Sequence, residues 1–154
     1  MTSFNATGGC SCKETHYTIS GTPMFRAYCH CSTCQAYNQS DFADIIVMRS
    51  KDVLLVGQEK IAYKYHQQPP LLQRGNCTEC GGVIIEKMRI PLLANMTIIP
   101  TQTLRDRENL PAPSFHMFYH RRIADAVEKL PKHEGYLKSQ MAFSAKVLAS
   151  LVPR

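Results

Sequence analysis

The sequence predicts a mainly β domain of short antiparallel strands, with one helix at its C-terminal end. Three observations carry this. Short segments rich in β-branched and aromatic residues recur from about Thr15 to Tyr119. Prolines at Pro23, Pro69, Pro70, Pro91, Pro100, Pro111 and Pro113 punctuate them at places incompatible with long helices. From Gly135 onward the texture changes, and apolar residues fall at spacings near three and four.

The strands are expected at residues 16–20, 25–28, 43–47, 53–56, 60–65, 83–87, 95–99 and 115–119. In the fifth of these, Ile61, Tyr63 and Tyr65 share one face, the period-2 pattern of a half-buried strand. If the last forms, His116 and His120 lie on one face, followed by Arg121 and Arg122, a pairing suited to an anionic carboxylate. Short helices are expected at 32–39 and 122–130. Residues 136–152 read as an amphipathic helix whose apolar face carries Leu137, Met141, Val147, Leu148 and Leu151. That face would pack on the domain's own core or form an oligomer contact. With Lys138 and Lys146 as its basic residues and Arg154 just beyond, it does not resemble a membrane-binding helix.

The chain has 154 residues, the size of one domain, and its 44% hydrophobic and 19% charged residues are an ordinary globular balance. No apolar run approaches the roughly 20 residues needed to cross a bilayer. The first residues show no basic and apolar signal pattern, so a soluble cytoplasmic protein is expected. Net charge is +6. The basic residues are dispersed, which argues against nucleic-acid binding.

The seven cysteines are the most informative feature. An odd number without a visible secretory signal does not suit a disulfide framework, and points to metal or redox chemistry. Cys10-Ser11-Cys12 places two sulfurs on one side if the segment is extended. Cys77-Thr78-Glu79-Cys80-Gly81 is a knuckle-like turn whose following glycine can take positive φ. Together Cys10, Cys12, Cys77 and Cys80 supply a closed four-thiolate set for a structural zinc ion. Cys29-His30-Cys31-Ser32-Thr33-Cys34 combines both spacings, so Cys29, Cys31 and Cys34 can face one point while His30 points away. Three protein ligands leave the fourth position to water or substrate, the mark of a catalytic zinc. A remote His16, His116 or Asp41 could instead close this second set. A thioredoxin-like dithiol lacks its βαβ context here, and iron–sulfur ligation lacks its longer cysteine runs or following proline.

These three cysteine motifs, in this order, resemble the glutathione-dependent formaldehyde-activating enzyme family, which includes centromere protein V. The resemblance spans about residues 5 to 135. It implies a β-tent fold with two zinc ions, a structural one on Cys10, Cys12, Cys77 and Cys80 and a catalytic one on Cys29, Cys31 and Cys34. Residues 1–135 would form the zinc-binding domain, and 136–154 a helical extension of it. The implied activity is that of a carbon–sulfur lyase joining glutathione, or another small thiol, to formaldehyde or a small aldehyde. This sequence departs from the family at Lys13, where many members have glycine, at Gln35, where many have arginine, and at Asn76, where an aromatic is usual; it also has no tryptophan.

The charge on the metal points the same way. Three thiolates around Zn²⁺ leave about one net negative charge, so water activation is less favoured than at a three-histidine zinc. Such an ion can still hold a fourth thiol as thiolate well below the free cysteine pKa of about 8.5. That suits thiol addition to an aldehyde. The alternative reading is a non-catalytic, zinc-stabilised module that contacts protein or nucleic acid.

Overall fold

The computed structural model describes residues 3–66 and 71–153. Among these, β1 (Phe4–Gly9), β2 (His16–Gly21) and β3 (Phe25–Cys29) precede α1 (Ser32–Asn38). Then come β4 (Ala43–Arg49), β5 (Val53–Val56), β6 (Ile61–Tyr65), β7 (Leu72–Cys77), β8 (Val83–Ile90), β9 (Ala94–Pro100), β10 (Pro113–Met117) and α2 (Tyr136–Leu151). The fold is mainly β with a C-terminal helix, as expected. The punctuation expected at Pro69 and Pro70, the start at Met1 and Thr2, and Arg154 lie outside the described residues.

The strands form a three-stranded sheet in the order β1-β2-β5 and a seven-stranded sheet in the order β10-β3-β4-β9-β8-β7-β6. Pairing is antiparallel except between β10 and β3, which run parallel. The large sheet is covered on both faces, and β4 shows why its sequence is a continuous apolar run. Successive side chains point to opposite faces. Ile45 and Val47 join Phe25, Ala27, Ile98 and Phe143 on one side, while Ile46 and Met48 join Tyr17, Ile19 and Ile99 on the other. The first cluster is closed by α2 and the second by the small sheet. Each fully buried aliphatic or aromatic side chain contributes about 1.5–3 kcal/mol to these layers.

Three expectations are corrected. Residues 122–130 form no helix. The Ala126 N–H is taken by the Tyr119 hydroxyl at 3.0 Å, and Arg122 bonds Asp125 and the Tyr119 carbonyl, so local side-chain bonds replace the helical ladder. β10 stops at Met117 because Phe118 turns left-handed (φ 53°) and gives its N–H to Ser139 Oγ at 2.8 Å. His120 therefore does not share a face with His116: it is exposed and accepts from the Gly135 N–H, while His116 is buried. Finally, α2 turns Ser139, Phe143 and Val147 inward, and leaves Leu137, Met141 and Leu148 exposed. The helix packs on its own domain, through a face that shares Val147 and Leu151 with the expected one but turns Leu137, Met141 and Leu148 outward. No helix among the described residues is long and apolar enough to cross a membrane.

Candidate metal centres and the cavity beside them

The two cysteine groups come together as the spacing suggested. Cys10, Cys12, Cys77 and Cys80 have their sulfurs within 4.8 Å of one another, and so do Cys29, Cys31 and Cys34. A tetrahedral zinc with Zn–S bonds of about 2.3 Å needs sulfurs roughly 3.8 Å apart. The closest pairs, Cys10–Cys12 at 3.3 Å, Cys12–Cys77 at 3.6 Å and Cys29–Cys31 at 3.5 Å, are near that spacing. Both sets fit such an ion.

In the four-cysteine group the first pair lies in a turn, not on an extended strand. β1 ends at Gly9, and the Lys13 N–H bonds the Cys10 carbonyl at 3.1 Å. Lys13 takes φ 66°, a left-handed conformation that favours glycine, which accounts for the family's usual residue there. The second pair closes the β7–β8 connection. Gly81 takes φ 73°, as its place after the knuckle predicted, and its N–H bonds the Cys77 carbonyl. Asn76, the third departure, donates to the Gly81 carbonyl at 3.1 Å and so braces the same turn. Burial raises the Cys10 thiol, but contacts from Thr15 and from the Cys12 and Cys77 sulfurs outweigh it and bring its pKa to about 6. The Gly82 N–H likewise lowers Cys80. Thiols this close cannot all ionise alone, and a shared cation would resolve the repulsion.

The three-cysteine group is built by β3 and α1. Alternation along β3 places Cys29 on the α2 side with Phe25 and Ala27, and sends Tyr28 and His30 to the other face. Cys31 then caps α1, its sulfur accepting the Cys34 N–H at 3.3 Å, so one helical turn brings the third sulfur alongside. Hydrogen bonds from the Cys29 and Cys34 thiols stabilise the Cys31 thiolate, against the cost of burial, and bring its pKa to about 3. The same bond from Cys29 pushes that thiol well up. Among the described residues no histidine or carboxylate joins this group, and His16, His116 and Asp41 all stand outside it.

His30 does point away. Its Nε2 lies 2.9 Å from His116 Nδ1, and both rings are buried. Gln35, the second departure, holds the local backbone by donating to the His30 and Arg121 carbonyls at 2.8 and 2.9 Å. Burial lowers His30 to about pH 4 and also lowers His116. Both rings stay neutral in the fold but take up protons when unfolded below about pH 6.5. Stability is therefore present above that pH and falls as acid is added. His116→Gln should weaken the fold at pH 7.5 and flatten this decline. Melting temperatures of both proteins at pH 7.5 and 5.0 test it, and an unchanged difference would remove His116 from the account.

Two residues beside the three sulfurs were not foreseen. Arg74 Nη2 lies 3.5 Å from Cys34 Sγ, and its Nε lies 3.4 Å from Glu86 Oε2; each side chain is 2% exposed. Burial pushes the Glu86 carboxyl up to about 7, with Arg74 pulling it back. The signal in the sequence was Glu86 itself, an acid ending the apolar run Val83-Ile84-Ile85. Arg74 and Glu86 are direct partners across β7 and β8. Of the other residues weighed, Tyr63 is partly buried against the second core cluster, and Tyr65 is exposed. Arg122 pairs with Asp125 and Glu134.

The three cysteines line a cavity of about 330 Å³, between the large sheet and α2, which contributes Tyr136, Gln140, Phe143 and Ser144. A larger groove, of about 630 Å³, runs along β5, β8 and β9 and holds no cysteine.

The geometry agrees with comparisons to known proteins. The chain is similar in fold to a Rhodobacter sphaeroides protein of known crystal structure, with a TM-score of 0.53 and 18% identity over 66% of this chain and 90% of that one. No curated protein matches it. The model of the family described as glutathione-dependent formaldehyde-activating enzyme matches residues 5–121, a span that contains all seven cysteines. The chain belongs to the glutathione-dependent formaldehyde-activating enzyme family.

Proposed function

We propose that this chain is a zinc-dependent enzyme of the carbon–sulfur lyase type. It promotes the addition of glutathione or another small thiol to formaldehyde or a small aldehyde. Cys10, Cys12, Cys77 and Cys80 would hold a structural ion, and Cys29, Cys31 and Cys34 a catalytic one. The observation that carries this reading is a three-sulfur group in the wall of a cavity, with no fourth protein ligand among the described residues. Residues 1–135 are the zinc domain in this reading, and 136–154 an extension that walls its cavity.

When bound, a zinc ion of this kind supplies a place where an incoming thiol is held as thiolate. The chain's residues do the rest. Cys31, already stabilised as a thiolate, and its two neighbours provide the soft donor set. Arg74 sets a fixed positive charge beside Cys34 and offsets part of the sulfurs' negative charge. The apolar walls limit water, which would otherwise compete for the aldehyde. In the reaction a C–S bond forms at the aldehyde carbon, and the thiol proton ends on the former carbonyl oxygen.

Protein kept reduced and purified without chelator should carry two zinc ions per chain, the three-cysteine ion leaving first when a chelator is added. Because thiols add to formaldehyde unaided, activity is best read as exchange between free thiol and adduct, with Cys31→Ser as control. Faster exchange with the parent supports the reading. Absence of zinc, or exchange no faster than the control, overturns it in favour of a zinc-stabilised binding module.

A further inference from the structure

Arg74 buries hydrogen-bond donors that nothing among the described residues takes up. Resting on the thiol–aldehyde reading of the three-cysteine centre, we propose that Arg74 is the anchor for a carboxylate carried by the thiol substrate. Alternation along β7 and β8 turns Leu72, Arg74, Glu86 and Met88 to one side, into the cavity that the three sulfurs line. A guanidinium has five N–H donors. One arm, Nη2, reaches Cys34 Sγ at 3.5 Å. Nε and Nη1 are buried and have no hydrogen-bond partner among the described residues.

Glu86 does not fill this role. Its Oε2 stands 3.4 Å from Arg74 Nε without forming a hydrogen bond, and its Oε1 has no partner among the described residues. Burial pushes its carboxyl up to about 7, so near neutral pH it is only part of a counter-charge. Buried donors left unpaired carry a cost that an incoming acceptor removes. The acceptor that fits a guanidinium best is a carboxylate, planar and of opposite charge. Arg74 is the one cation among the described lining residues, so a carboxylate entering the cavity has one place to go.

The thiol is the reactant that carries it because the anchor touches the sulfur centre. Arg74 lies against Cys34, so a thiol held at the three cysteines keeps groups a few bonds from its sulfur within reach of the guanidinium. The guanidinium is also fixed. Its central carbon lies 5.9 Å from the centre of the Tyr37 ring, whose hydroxyl donates to the Gly75 carbonyl. A donor placed in advance orients the thiol for attack. At about 330 Å³ the cavity takes a short mercapto acid whole, or the thiol-bearing part of a larger peptide thiol. The reaction is unchanged: the C–S bond forms, the S–H bond breaks, the proton passes to the carbonyl oxygen, and the carboxylate takes no part.

Thiol binding to the zinc-loaded full-length chain, read by titration calorimetry with no aldehyde present, tests the proposal. Two matched pairs are the probes: 3-mercaptopropionate with its methyl ester, and glutathione with its diethyl ester. Each acid should bind roughly tenfold or more tightly than its ester. In the paired replacement Arg74→Met/Glu86→Leu, which leaves neither buried charge without its partner, the ratio should fall to near one. Arg74→Lys, which keeps the charge but not the planar fork, should show an intermediate ratio. Comparing ratios between proteins cancels the difference in thiol acidity between acid and ester. Zinc content is measured in every sample, so that lost metal is not mistaken for a lost anchor, and Cys31→Ser gives the binding that does not involve the centre. Acid and ester binding alike in the parent, or a preference that survives both replacements, overturns the anchor and leaves the proposed function standing. Thiol binding no stronger than in Cys31→Ser overturns the thiol–aldehyde reading, and this proposal with it.

Discussion

Cys77→Ser should lower the stability of the zinc-loaded chain by on the order of 5 kcal/mol, a large share of the 5–15 kcal/mol that holds most domains folded. Cys31→Ser should cost no more than about 2 kcal/mol. The difference follows from what each group joins. Cys10 and Cys12 sit in the turn between β1 and β2, in the small sheet, while Cys77 and Cys80 flank the β7–β8 turn of the large one. A metal there closes a long stretch of chain, since Cys12 and Cys77 are 65 residues apart, and it links the two sheets beside the Tyr17–Ile19–Ile46 layer. Cys29, Cys31 and Cys34 belong to one strand end and the helix after it, so a metal there closes almost no loop. Melting curves, read with zinc content, distinguish the two. Equal and large losses would show that both groups are structural, and would take the strongest support from the open-site reading.

The same contrast explains what could be read in the sequence. The cysteine groups were legible because metal ligation leaves a spacing pattern that does not depend on the rest of the fold. β4 was legible because burial on both faces demands an unbroken apolar run. β1 was not, because Phe4–Gly9 owes its place to close approach more than to hydrophobicity. A Cβ on Gly8 would stand 2.3 Å from the Tyr17 hydroxyl. β7 was hidden for a related reason. Its sequence, Leu72-Gln73-Arg74-Gly75-Asn76-Cys77, reads as polar loop, and its buried weight is carried by a charged side chain whose partner lies on β8. Periodicity found α2 and its inward Val147 and Leu151 but missed the rest of the face, since Ser139 and Phe143 also point in while Leu137, Met141 and Leu148 face out. Seen from inside, Ser139 is where it must be, because it receives the Phe118 N–H that ends β10.

The buried pair Arg74–Glu86 gives the second large expectation. Arg74→Met should cost about 3–5 kcal/mol, because it leaves the buried Glu86 carboxyl beside three sulfurs without its partner. The double variant Arg74→Met/Glu86→Leu should recover most of that loss, since well-packed apolar replacements of buried ion pairs are often neutral or better. Recovered stability should not restore the centre. Arg74 is the cation within reach of Cys34, at 3.5 Å, and it rests on the Tyr37 ring, whose hydroxyl donates to the Gly75 carbonyl at 2.6 Å. Without that charge the three thiolates repel one another more, and the double variant should hold zinc at this site about 10–100-fold more weakly. Competition with a chromophoric chelator measures this, the tighter four-cysteine ion serving as an internal reference in the same molecule. A double variant as unstable as Arg74→Met would mean that Arg74 acts through packing its long side chain. One that is stable and retains zinc like the parent would mean that the pair only fills space between β7 and β8. A stable fold with a weakened three-cysteine site is the result that makes Arg74 a positioning residue for the centre, and it is the result expected from a charge kept buried at the one place where thiolates need it.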